Sequence, residues 1–88
     1  MQMTHWVYIS EDEQGVLKIG LLADFGKIWS ALKAGERIVY LRAFSDPFDA
    51  SAHKHLLDDL SQSSVRFLIS KQKEKTKVLL RVALFLIQ

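Results

Sequence analysis

The stretch from His5 to Gly20, HWVYISEDEQGVLKIG, constrains this chain more than any other. An apolar run, Trp6-Val7-Tyr8-Ile9, meets an acidic turn that ends in Gly15, and a second apolar run, Val16 to Gly20, follows. Two β-prone runs around such a turn predict a hairpin. Side chains alternate along a strand, so Trp6 and Tyr8 share one face and Val7 and Ile9 the other. In the second run Val16, Lys18 and Gly20 share a face, opposite Leu17, Ile19 and Leu21. A tyrosine and a lysine can therefore stand together on one side of the ribbon.

The remaining elements follow in order. Asp24 can cap a helix that turns Phe25, Ile28, Trp29 and Leu32 toward a core, and Gly35 stops it. Arg37 to Phe44 is β-branched and aromatic, which predicts a strand over residues 38–44. Alternation places Ile38, Tyr40, Arg42 and Phe44 on one of its faces. Asp46-Pro47 is a strong helix start, an N-cap followed by a proline whose fixed φ suits the first turn. That helix should reach about Leu60 and bury Phe48, Ala52, Leu56 and Leu60, with Leu57 beside them. Ser61 or Ser63 caps a short third helix over residues 64–72, buried through Val65, Leu68 and Ile69. Thr76 can cap a last segment, Lys77 to Gln88. Its Val78 to Ile87 portion is apolar nearly all round, and its leucines and alanine favour helix over strand. The expected class is α+β, a small three-stranded sheet in β-β-α-β-α-α-α order with helices packed on it. At 88 residues this is a single domain, residues 1–88, with Leu32, Leu56 and Leu68 in its core.

Composition narrows the partners. There are no cysteines, so disulfides and thiolate metal sites are excluded. No apolar run approaches the ~18 residues of a membrane span, and no secretory leader is visible. A cytoplasmic protein without a membrane partner is the expectation. Net charge is only +2, but residues 1–65 carry six Lys/Arg against nine Asp/Glu, whereas residues 66–88 carry six against one. The electropositive part is the C-terminal quarter. A solvated helix face accounts for such a run, and so does a track for phosphates.

Val7-Tyr8-Ile9 and Lys18-Ile19-Gly20, joined by a short turn, resemble the two half-motifs of the GIY-YIG nuclease superfamily, in the variant that carries KIG at the second. Gly20 to Asp24 resembles the loop that leads from the second motif into the first helix. The resemblance covers about residues 6–60 and extends to the strand and the Asp46-Pro47 helix. It implies phosphodiester hydrolysis with one divalent metal such as Mg²⁺. The first-motif tyrosine would act as, or relay to, a general base, a helical arginine would steady the phosphate, and a helical glutamate would hold the metal.

Carried over residue by residue, Tyr8 and Lys18 match the two motifs, and Lys27 is the cation nearest the arginine's place. Tyr8, Lys18 and Lys27 are thus the catalytic candidates. No carboxylate stands where the glutamate belongs, because the second helix reads Ala50-Ser51-Ala52-His53-Lys54-His55-Leu56-Leu57. His53 and His55 lie about 200° apart on a helix and do not converge. Imidazole is in any case a poor ligand for Mg²⁺. No metal ligand set and no cofactor is therefore assigned, apart from the divalent ion that an active nuclease would need. The nucleic-acid-binding candidates are Lys18, Lys27, Arg42, Lys71 and Lys73, with Trp6 beside Arg42. The leading expectation is a GIY-YIG-like domain that has lost catalysis and serves as a nucleic-acid-binding or assembly module. An active divergent nuclease is the alternative. A module that dimerises through the apolar C-terminal segment is another, and a homodimer is the expected assembly.

Overall fold

The computed structural model describes residues 4–86. Three strands, β1 (His5–Glu11), β2 (Leu17–Leu22) and β3 (Arg37–Phe44), form one antiparallel sheet in the order β2-β1-β3. The hairpin is as expected. Asp12 closes its turn by accepting from the backbone N–H of Gln14 and Val16, and Gly15 supplies the positive φ of 81° that the turn requires.

The first strand in the chain is the central one. Five consecutive residues of β1, Trp6 to Ser10, are buried, which demands cover on both faces. On one face Trp6 and Tyr8 pack with Phe25, Ile28, Leu41 and Ala83. On the other, Val7 and Ile9 pack with Tyr40, Ala50, Leu57 and Val65. The first group brings in a 3-10 turn (Phe25–Lys27), the helix α1 that continues it (Ile28–Ala31), and α4 (Lys73–Leu86). The second brings in α2 (Pro47–Asp59) and α3 (Gln62–Lys71). The result is a helix–sheet–helix sandwich.

Several expectations are corrected. β3 bulges at Val39, so Ile9 faces Tyr40 while Ser10 faces Ile38. Ile38 thus leaves the Tyr40 face and packs on the Trp6–Tyr8 side. Trp29 is exposed, because α1 is a single turn that ends at Ala31 and directs Ile28 and Ala31, not Trp29, toward the core. In α2, Asp46 caps and Pro47 starts the helix as expected, but the buried residues are Ala50 and Leu57. Phe48 is 82% and Leu56 55% exposed, and Ala52 faces water too. His53 is half-buried, whereas His55 is exposed. Leu32 and Leu68 are half-buried. Ser61 caps α3 by accepting from Ser64 N.

Residues 73–86 are helical, so the strand alternative for the C-terminal segment is excluded over that range. Residues 87 and 88 of that segment lie outside the described range. α4 starts at Lys73, and Thr76 does not cap it. The Thr76 hydroxyl is buried and accepts from the backbone N–H of Leu41, 3.3 Å away, which ties α4 to the sheet. No described helix is long and apolar enough to cross a membrane.

Candidate functional site

The register Tyr8↔Gly20 and Ser10↔Lys18 places all four residues on the Trp6–Tyr8 face of the sheet. Tyr8 and Lys18 do share one side of the ribbon. Tyr8 is 5% exposed and belongs to the core. Its ring and hydroxyl fill the space directly above Gly20, where a Cβ would overlap them. Gly20 is thus required by the Tyr8 ring.

Lys18 is committed to structure. Its Nζ donates to the backbone carbonyl of Ala31 at 3.0 Å and to Glu36 Oε1 at 3.1 Å. The same Glu36 oxygen accepts from the backbone N–H of Lys33 at 2.6 Å. The Lys33 amide first, and then the Lys18 ammonium, hold the Glu36 carboxyl below its ordinary range. Lys18 therefore fastens the end of α1 and the loop before β3 onto β2. Lys27 sits exposed at the end of the 3-10 turn, which Asp24 starts by accepting from Gly26 N.

These residues do not fit the divalent metal that the resemblance implies. Among the described residues no three His, Asp or Glu side chains are placed to share an ion. Asp58 is paired with Lys54 at 2.8 Å. His53 lies on the opposite face of the sheet from Tyr8, where its Nε2 is 2.7 Å from the Tyr40 hydroxyl. Burial lowers the His53 pKa below 6.5, and the charge of Arg42 lowers it further. Burial raises that of Tyr40. A neutral imidazole and an intact phenol let Tyr40 donate to His53.

Arg42 also belongs to this second cluster, with its guanidinium 5.2 Å from the centre of the Phe44 ring. Trp6 does not join it. Trp6 pairs with Ala43 on the other face and packs at 5.1 Å, ring centre to ring centre, against Phe25. No shared Trp6–Arg42 groove forms.

Lys71 and Lys73 separate as well. The Lys71 ammonium lies 5.4 Å from the centre of the exposed Phe67 ring. Lys73 lines a groove of about 440 Å³ between the β3 edge, α3 and α4. Arg37, Arg66, Lys77 and Glu11 line it too. Arg37 donates to one Glu11 oxygen at 2.9 Å, and Arg66 donates to the other at 3.0 Å and to Gly15 O at 2.6 Å. The Arg37 and then the Arg66 hydrogen bonds hold the Glu11 carboxyl below its ordinary range. Sequence reasoning did not find Arg37 and Arg66, because their common partner Glu11 is 26 and 55 residues away from them in the chain.

No family model and no curated protein sequence matches the chain. Its structure is similar to the solution NMR structure of a UPF0213 protein from Bacillus halodurans, with a TM-score of 0.65 and 24% identity over 81% of this chain and 87% of that one. That protein has a GIY-YIG-type fold, and the likeness shows the same α+β arrangement here, a three-stranded antiparallel sheet flanked by helices.

Proposed function

We propose that this GIY-YIG-type domain is a nucleic-acid-binding module that no longer hydrolyses phosphodiesters. One observation carries the reading: the lysine at the second half-motif is spent on the Ala31 carbonyl and Glu36, where it holds the fold together. The tyrosine of the first half-motif is packed in the core above Gly20. With no three His, Asp or Glu side chains placed to share a metal among the described residues, phosphoryl transfer would lack its main charge stabilisers. The test is incubation with single-stranded DNA, duplex DNA and RNA in Mg²⁺ and in Mn²⁺. The expected result is no cleavage above background. Cleavage that disappears in Tyr8→Phe would overturn the reading in favour of an active nuclease.

A specific observation also supports self-association. Val78, Val82 and Phe85 are exposed and fall on one stripe of α4, at the spacing by which helices pair. A two-fold pairing of this stripe gives a homodimer. Light scattering at micromolar concentration should give the dimer mass, and Val82→Glu the monomer mass. A monomeric wild-type chain would refute the pairing.

A further inference from the structure

We infer that the groove between β3, α3 and α4 is the nucleic-acid contact of this domain and that it takes a single strand, through the phosphates along Arg37, Arg66, Lys73 and Lys77 and through a base on Phe67. The inference rests on the binding reading above but places the contact away from Tyr8 and Lys18.

Charge is the first argument. Four cations and one anion line the groove, a surplus of three, whereas the whole chain carries only +2. The rest of the molecule is thus slightly acidic, and a polyanion is drawn to this one place. The second argument is preorganisation. Glu11 takes one hydrogen bond from each arginine, and Gly15 O takes another from Arg66, so the Arg66 guanidinium is held at two points and the more exposed Arg37 at one, while most of their N–H groups stay uncommitted. A fixed guanidinium matches the two oxygens of a phosphate and loses less side-chain freedom on binding. The two lysines add point charges from α4. Glu74 stands 3.7 Å from Lys77, but it is highly exposed and a weak competitor.

Single strands are favoured by the neighbouring aromatic. Phe67 follows the groove residue Arg66 on α3, at the side of the groove rather than in its lining, and it is 61% exposed with the Lys71 ammonium 5.4 Å from its ring centre. It belongs to neither hydrophobic cluster. A cationic groove with a solvent-exposed ring near it suits unpaired bases, because each base has a face to stack and a duplex hides it, and a base on Phe67 would share the ring with the Lys71 ammonium. An acidic peptide would use the cations and leave the ring without a role.

The experiment is fluorescence anisotropy with a labelled oligothymidylate of about 12 nucleotides, within the site sizes of single-strand binders, titrated at several salt concentrations. The same sequence as a duplex, and polyglutamate as competitor, run in parallel. Lys73→Gln/Lys77→Gln should weaken binding about tenfold and flatten the slope of log K against log salt by about 1.4, or 0.7 for each lost contact to a single strand. Phe67→Ala should weaken single-strand binding about tenfold and leave the salt slope unchanged. All three side chains are exposed, and unchanged melting curves will show that the variants are folded. Wild-type binding that is indifferent to the double lysine change would overturn the groove and leave the binding reading standing. No wild-type binding at low salt would overturn both. Duplex affinity equal to single-strand affinity, or equal displacement by polyglutamate, would overturn the single-strand assignment. Cleavage of the oligonucleotide would overturn the loss of catalysis, and the groove would still be decided by the lysine variants.

Discussion

The ring of Tyr8 occupies the volume that a side chain at Gly20 would need. The two residues are direct partners across β1 and β2, so the hairpin brings a large and a null side chain into one position. A packed core aromatic cannot swing away as a surface side chain would. Gly20→Ala should therefore destabilise the protein by about 1–3 kcal/mol, the usual cost of overpacking. A urea titration checks this, and an unchanged midpoint would mean that the Tyr8 ring moves freely.

Lys18 and Glu36 form a partly exposed pair that also holds the Ala31 carbonyl. Lys18→Met and Glu36→Gln should each lower the urea midpoint. The double variant should cost less than the sum of the single changes, because both remove the Lys18–Glu36 contact, while the bonds to Ala31 O and from Lys33 N belong to one residue each. Additive losses in a denaturation cycle would show that the two residues act separately.

Leu57 and Leu56 are adjacent but differ sharply in burial, 1% against 55%. Leu57→Ala should cost about 2–5 kcal/mol, the range for a core leucine. Leu56→Ala should stay within about 0.5 kcal/mol, as surface changes do. Equal losses would mean that α2 is rotated about its axis.

His53 has a lowered pKa in the fold, caused first by burial and then by Arg42. The unfolded chain takes up a proton as pH falls through about 6.5, where the folded chain does not yet. The His53 contribution is thus complete above about pH 7 and is lost as pH falls through 6.5 toward the folded value. Glu11 and Glu36 are also held low, and they lose their contributions only below about pH 5. Thermal melts from pH 7.5 to pH 5 should show a decline in the wild-type protein that is flatter in His53→Gln. An equal decline in both would exclude His53 as its source.

The parts of this fold that could be read from sequence are those whose signals are local. The hairpin follows from alternation and Gly15, and the α2 start from Asp46 and Pro47, because turns and caps are decided within a few residues. The buried face of α2 was not legible. The helix carries apolar side chains at Phe48, Ala52 and Leu56 and again at Ala50 and Leu57, and periodicity cannot rank two such stripes. The choice is made by how the chain leaves β3 and crosses the sheet. Thr76 misled for a related reason: a capping residue looks the same in sequence when its hydroxyl instead serves a neighbouring strand. In the candidate site, the shared face of Tyr8 and Lys18 was legible from period two, but the Lys18 partners, at the end of α1 and in the loop beyond it, were not. The basic groove stayed hidden because four segments distant in the chain build it.

β1 is synthesised first yet sits in the middle of the sheet. While the chain is being made, β2 can close one side of it at once, but the other side waits for β3 to emerge. At ribosomal speeds of 5–20 residues per second the 33 residues from Glu11 to Phe44 take roughly 2–7 s. Over that interval the most deeply buried strand of the folded protein offers an open row of amide and carbonyl groups to any neighbouring nascent chain. Newborn molecules are therefore most exposed to mispairing between the second strand and the third, and a chaperone that acts on this protein has its natural moment there.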